Sequence, residues 1–354
     1  MPPPPPYTRS FWCLSRSQEA RGYPIGLISS YIGGTPDECW SSHEALASCP
    51  GGPTGSNAHM DMGDCWYSMI TPLLRTPIFG AIWYQGETDT VPGGCSQDRS
   101  SRYNCTFPAM VHDWRSKFSQ ASLNATAVDF PFGVVQLAPW GQTGHDPDDG
   151  CGQGQSSSCQ VAQLRWSQTA SKGTLLGNAA IPRSFMAVTT DLADFSSPYG
   201  SIHPRHKIAV GTRLAFGARS VAYGKTGPDT YWTGPVHPAA TVSRTNGDVQ
   251  VQFRNCASGG IVLRETVGFE VEVDGVWMPA AAVRDPSLQA RCAVGLDVTT
   301  ESARAAAATR VRFNWDQVVC FANATKDGTG TGRCAVYSGG LPAPPFISNV
   351  TITH

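Results

Sequence analysis

The 354-residue sequence carries almost no net charge, a formal −1, and only 15% of its residues are charged. Nucleic acids and anionic membranes are usually recruited by a basic field, and the sequence offers none. No apolar run is long enough to span a bilayer. The opening residues, MPPPPPYTRSFW, are a proline run without the apolar core of a signal peptide. No C-x-x-C pair occurs, which argues against zinc ribbons and thioredoxin-type redox sites. No internal repeat is present. Glycine (37) and proline (27) are abundant where charge is scarce, a mixture that favours many loops around buried strands over long solvated helices.

Cysteine is plentiful, with twelve residues, and four N-x-[ST] sequons begin at Asn104, Asn124, Asn323 and Asn349. Together they favour an oxidising, glycosylating compartment, secreted or lysosomal. The loops 49–65, 91–105 and 144–159 are long and each is flanked or crossed by cysteines, so covalent closure would offset their ordering cost. Such a body without a secretory start raises the expectation that a segment upstream of Met1 is missing, through a truncated gene model or a shortened isoform.

Four short apolar runs ended by turn residues predict buried strands: YPIGLISS, IFGAIWYQGE (78–87), FPFGVVQLAPW (130–140) and SFMAVTTDLAD (184–194). Between them, Phe107, Met110, Val111, Trp114 and Phe118 fall on one helical stripe, and 161–171 and 207–224 read as helices too. Strands alternating with helices predict a parallel α/β sheet covered on both faces. After Gly224 the period changes to two, in DVQVQFRN, GFEVEVDGVWMPA and ATRVRFNW, with Asp274-Gly275 as a hairpin turn. The expected organisation is an α/β domain over 1–224 and an antiparallel β domain over 225–354.

The strand ends carry the groups that could do chemistry: Ser29-Ser30 with Gly33-Gly34, then Gln85-Gly86-Glu87, Gln136, and a last loop with Asp191, Asp194 and His203. Sites in parallel sheets gather at the carboxyl ends of strands. A histidine with an upstream aspartate suits a general base whose tautomer a carboxylate fixes. Backbone N–H groups at Gly33-Gly34, with the Gln85 amide, suit an oxyanion. Each has a plainer reading. His203 precedes a proline and fits a surface turn, Gly33-Gly34 fits a strand-to-helix turn, Gln85 and Glu87 fit helix capping, and Asp191 or Asp194 fits an N-cap. His59 with Asp61 and Asp64, and the acidic loop 145–150, match no metal or calcium pattern well enough to carry a cation site.

The blocks PIGLISSYIGGTPDECWSS, IWYQGETDT, YNCTFPAMVHDWR, FPFGVVQLAPW, QLRWSQTA, FMAVTTDLADFSSPYGSIHPRHK and GLPAPPFI resemble the animal sialate O-acetylesterases, SGNH-type carbohydrate esterases, collinearly from about Ser10 onward. The resemblance implies a three-layer SGNH-type sheet followed by the β domain. It also implies a metal-free serine/histidine acyl-enzyme mechanism on O-acetylated sialic acid and a secreted or lysosomal location. His203 matches the family's histidine, and Gly33, Gly34 and Gln85, with Glu87 beside it, match its oxyanion-side blocks. Related enzymes often place aspartate three residues before the histidine. Here that position is Gly200, which leaves Asp191 and Asp194 as candidates.

The family's nucleophile lies in a GQSN-type block upstream of PIGLISS, and no such block occurs in this sequence, so Ser29 and Ser30 read as loop serines. The first strand of the sheet would then be missing with that block, and the chain as written is expected to lack esterase activity. The other readings are an inactive or carbohydrate-binding relative and an acetyl xylan esterase-like enzyme.

Overall fold

A computed structural model describes residues 25–51, 62–90, 99–140, 158–225, 227, 231–243, 249–298, 308–317, 319–320 and 334–353. The chain divides into two compact units. One comprises 1–137, 163–187 and 206–232, and the other 138–162, 188–205 and 233–354.

The first unit is built on three parallel strands, β1 (Ala81–Trp83), β2 (Phe132–Val135) and β3 (Ser184–Ala187), in the order β1-β2-β3. Every residue of β2 and β3 is buried, as an apolar run in a covered parallel sheet requires. Its helices are α1 (His43–Ala47), α2 (Arg99–Ala121) and α4 (Lys207–Gly217), with the last residues, 163–167, of α3 (Ser158–Ser167). The stripe Tyr103, Phe107, Met110, Val111, Trp114 and Phe118 of α2 is buried. Its aromatic rings meet Trp83 and Phe132, with Trp114 5.9 Å from Trp83 and Phe107 6.0 Å from Phe132. Trp114 donates its indole N–H to the Trp40 carbonyl at 2.9 Å, and Arg115 places two N–H groups on the Phe130 carbonyl at 3.0 and 2.8 Å. Two disulfides, Cys39–Cys65 and Cys49–Cys105, hold the segment around α1 to the rest of this unit.

One expected strand is absent. Residues 25–30, the described part of YPIGLISS, and the two that follow have no regular structure, and Leu27, Ile28 and Tyr31 are each about half exposed. An apolar run becomes a strand only where a neighbouring ladder pairs its backbone, and among the described residues β1 pairs only with β2.

The second unit contains a closed barrel of seven strands in the order β10-β13-β4-β5-β9-β8-β7. These are β4 (Val236–Ser243), β5 (Val249–Arg254), β7 (Phe269–Val273), β8 (Val276–Val283), β9 (Ala293–Asp297), β10 (Arg310–Phe313) and β13 (Phe346–Thr353). A smaller sheet joins β6 (Val262–Leu263), β11 (Val336–Ser338) and β12 (Leu341–Pro342), and a short helix, α5, spans Pro286–Ala290. β5 alternates buried and exposed residues along its length, as its period of two predicts. Asp274 and Gly275 turn the β7–β8 hairpin at φ of 51° and 78°. The expectation of a purely antiparallel β domain is corrected: β13 runs parallel to β4, with Val350 opposite Ala240, so the barrel is mixed. Phe253, Phe269, Phe313 and Phe346 fill its core, Phe269 and Phe313 lying 4.6 Å apart. Two further disulfides, Cys256–Cys292 and Cys320–Cys334, lie in this unit.

Candidate functional site

The sequence-derived candidates fall into two groups, one in each unit. In the first unit, Gly33 and Gly34 form an exposed turn, with Gly34 at φ +78°, and neither would meet a neighbour within 4 Å if it carried a Cβ. The chain then dives inward. Thr35 is buried, and so is every residue of the 3₁₀ turn Asp37–Trp40.

Gln85 follows β1 and is also buried. Its amide nitrogen donates to the Thr35 carbonyl at 3.0 Å and to Asp89 Oδ2, while its Oε1 accepts from the Tyr103 hydroxyl at 3.1 Å. Both amide protons of Gln85 are thereby engaged. Asp89 Oδ2 also accepts the Asp37 N–H at 3.3 Å. Asp37 Oδ2 accepts from Thr106 of α2 at 2.5 Å. Tyr103 in turn accepts from the Trp83 indole at 2.8 Å. Glu38 is buried and paired with Arg102 at 3.2 Å and Arg99 at 3.7 Å. Gly86, at φ +134°, lies where a Cβ would stand 2.5 Å from Leu164 Cδ2, so only glycine fits the bend between Gln85 and Glu87.

Two carboxylates sit in this network without a cation directly on them among the described residues. Burial first, with repulsion from Glu38 also raising it, pushes Asp37 up from an ordinary 3.8 to about 7. Burial and the neighbouring Asp37 likewise push Asp89 well up. Tyr103 is held neutral by burial and by the same two carboxylates.

In the second unit, the segment after β3 carries Asp191, Asp194 and His203. Asp194 is fully buried and receives three N–H groups of Arg205. The backbone N–H lies 2.9 Å and Nε 2.7 Å from Oδ2, and Nη2 lies 2.8 Å from Oδ1. That fork closes a loop around His203, which is half-buried. Within the loop, the His203 N–H donates to the Gly200 carbonyl at 3.0 Å, and the His203 carbonyl accepts from Ser197 Oγ at 2.8 Å. Gly200, at φ +84°, allows the bend. Asp191 is buried and accepts the Tyr337 hydroxyl at 3.1 Å. Tyr337 packs beside the Cys320–Cys334 disulfide, and burial foremost raises its phenol above its ordinary value.

The structure thus gathers Gly34, Gln85 and Thr35 in one unit, and Asp191, Asp194 and His203 in one loop of the other. Glu87 is half-buried, and its carbonyl accepts from Thr90 Oγ1 at 2.7 Å. Gln136 is wholly buried at the end of β2. Ser29 is exposed, and Ser30 Oγ is buried without a hydrogen-bond partner among the described residues. Asn104, Asn124 and Asn349 are exposed, as glycosylation requires. Asn323, His59, Asp61 and the acidic loop 145–150 lie outside the described residues, and Asp64 is exposed. Among the described residues, no cluster of three or more His, Cys, Asp or Glu forms a metal site.

Spacing and composition do not by themselves single out Arg205, Tyr337, Asp37 or Asp89. Asp89 had a signal, since it lies four residues after Gln85. Arg205 had one in its place two residues beyond His203.

No family profile matches the chain. Sialate O-acetylesterases are similar to it. Those of Pongo abelii and Homo sapiens are 34% and 33% identical over 345 residues, covering 93% of this chain and 58% of each relative. That of Mus musculus is 31% identical over 367 residues, covering 61% of the relative. The chain therefore spans about three-fifths of the length of these curated relatives. A crystal structure of a carbohydrate acetylesterase from Xanthomonas citri aligns with a TM-score of 0.70 at 25% identity, covering 96% of this chain and 64% of that one.

Proposed function

The chain is homologous to the sialate O-acetylesterases, and from that premise we propose that it carries the base and oxyanion side of an enzyme that hydrolyses O-acetyl esters of sialic acids. Its SGNH-type domain would run over 1–224, with a β-rich domain over 225–354. In this reading His203 takes the proton of an attacking serine hydroxyl and returns it to the departing sugar oxygen. Asp191 or Asp194 holds the imidazole in the required tautomer. The N–H groups of the Gly33-Gly34 turn face the oxyanion of the tetrahedral intermediate. Gln85 and Glu87 shape the adjoining loop, and the acetyl-serine intermediate is released by water. The observation that carries this proposal is the loop around His203, pinned by a fully buried Asp194 in a sequence one-third identical to sialate O-acetylesterases.

The sequence holds no GQSN-type block, and we assign the attacking hydroxyl to none of its serines. With no serine assigned as nucleophile, we expect this chain alone to lack esterase turnover. Four disulfides among the described residues fit a secreted or lysosomal setting. No described helix is long and apolar enough to cross a membrane.

The test uses the longest transcript product that contains this sequence, beside this chain alone. Acetate release from O-acetylated sialic acid is expected in the longer product, to fall about 10²–10⁴-fold with His203→Ala, and to be absent in this chain alone. Undiminished release after His203→Ala would remove the base assignment. Comparable turnover by this chain alone would place the nucleophile among its own serines. Release from acetylated xylan and not from sialic acid would move the substrate to a polymer.

A further inference from the structure

We propose that Asp89 and Asp37 are a positioning pair whose folded form keeps a proton on Asp89 and so fastens the Gly33-Gly34 turn to the Gln85 loop. The proposal rests on the esterase reading only for the catalytic meaning of that turn. The proton and the fastening rest on the network itself.

The geometry makes Asp89 the common anchor. A single oxygen, Oδ2, takes one proton of the Gln85 amide and the backbone N–H of Asp37. The other Gln85 proton goes to the Thr35 carbonyl. One carboxyl group therefore fixes, directly or through one amide, Thr35 and Asp37, the residues that follow the glycine turn. Asp89 Oδ1 is buried with no hydrogen-bond partner among the described residues.

A buried carboxylate left with an unpartnered oxygen and no cation of its own is costly, and the neutral acid removes most of that cost. The charged groups facing the pair do not supply a full counter-charge. On the 3₁₀ turn, Glu38 repels both carboxylates. Arg99 and Arg102 of α2 attract them, yet each is also paired with Glu38. Tyr103 faces Asp37, Asp89 and Glu87 and stays neutral. Thr106 donates to Asp37, so Asp37 is the first of the two to give up its proton as pH rises. The proton that stays longest is on Asp89. Both N–H groups on Oδ2 still bind a neutral carboxyl through its carbonyl oxygen. When that proton leaves, two like charges meet in a buried pocket, and the turn is the part free to move outward.

The experiment follows the full chain across pH 5 to 8 with two readouts, thermal midpoint and amide exchange of residues 34–38. In the unsubstituted chain the midpoint falls as pH rises through this window. Exchange of the Asp37 amide accelerates by about tenfold beyond the intrinsic pH trend. Asp89→Asn, which mimics the neutral acid, should flatten both responses. A purely structural role for Asp89 would shift the midpoint without changing its pH slope, and that result overturns the proposal. An unsubstituted chain whose midpoint rises with pH also overturns it. Should Asp89→Asn not fold, infrared spectroscopy of the unsubstituted chain decides. A protonated carboxylic-acid carbonyl band persisting at pH 6 supports the pair, and its absence removes it. None of these readouts depends on ester hydrolysis, so they stand apart from the test of the esterase reading.

Discussion

Asp194 shows how a carboxylate chosen for one reason turns out to be held by another residue. Its oxygens are fully buried, whereas the Arg205 side chain that clasps them is 49% exposed. Removing one partner of a buried pair strands the other charge in a low dielectric. Arg205→Ala should therefore cost about 3 kcal/mol, the lower end of the usual range because the guanidinium is half in water. Arg205→Lys should restore only part of this, since an ammonium cannot make the two-pronged contact. Urea unfolding of both variants checks the order, and faster amide exchange across 195–204 would locate the loss in the His203 loop.

Asp37 gives a second expectation at the same scale. Its folded pKa, about 7, lies above the ordinary 3.8, so the folded chain holds a proton that the unfolded chain releases. Stability from this group is therefore complete below about pH 4, falls as pH rises, and levels off above about pH 7. Each proton retained in that window changes stability by up to about 1.4 kcal/mol per pH unit. Asp37→Asn should lessen that slope, as read from urea midpoints at pH 5 and pH 7.

Among the elements, the bend after β1 and the long helix α2 matter most for the site. Gly86→Ala would force a left-handed residue and press a methyl group onto Leu164, and should cost about 1–3 kcal/mol. The Cys49–Cys105 bond closes a separation of 56 residues and ties the end of α1 to α2, so replacing both cysteines by serine should cost about 2–4 kcal/mol in chemical denaturation.

The long elements were legible because their periodicity is strong. The α2 stripe, the β5 alternation and the Asp274-Gly275 turn each follow from residue spacing alone. YPIGLISS misled because a strand is a property of a pair of segments, and the segment itself shows only an apolar run. The parallel β13–β4 pairing was illegible for the same reason, since alternation fixes which face a residue takes and says nothing of strand direction. In the site, the Asp191–Asp194–His203 cluster could be read because it spans thirteen consecutive residues. The Tyr337 hydroxyl on Asp191 could not, because its partner lies 146 positions away. Beyond its spacing from Gln85, Asp89 carries no distinguishing mark in the sequence, because an aspartate in a short turn there looks like an ordinary solvated or capping residue.

Across the molecule, the apolar surface of the first unit stands out. Ile82 sits on β1, the edge strand among the described residues, at 37% exposure, and Leu27 and Ile28 are about half exposed. Exposed edges with apolar side chains pair with other chains unless blocked. Concentrated solutions of this chain should therefore self-associate, and Ile82→Lys should shift the distribution toward monomer in light scattering coupled to size exclusion, with little loss of thermal stability.

The barrel of the second unit is closed by β13, which joins β10 on one side and β4 on the other. Those neighbours are separated in sequence by every other barrel strand. During synthesis the ring must therefore wait, open, until residues 346–353 have left the ribosome, with the apolar faces that carry Phe253 and Phe313 not yet enclosed.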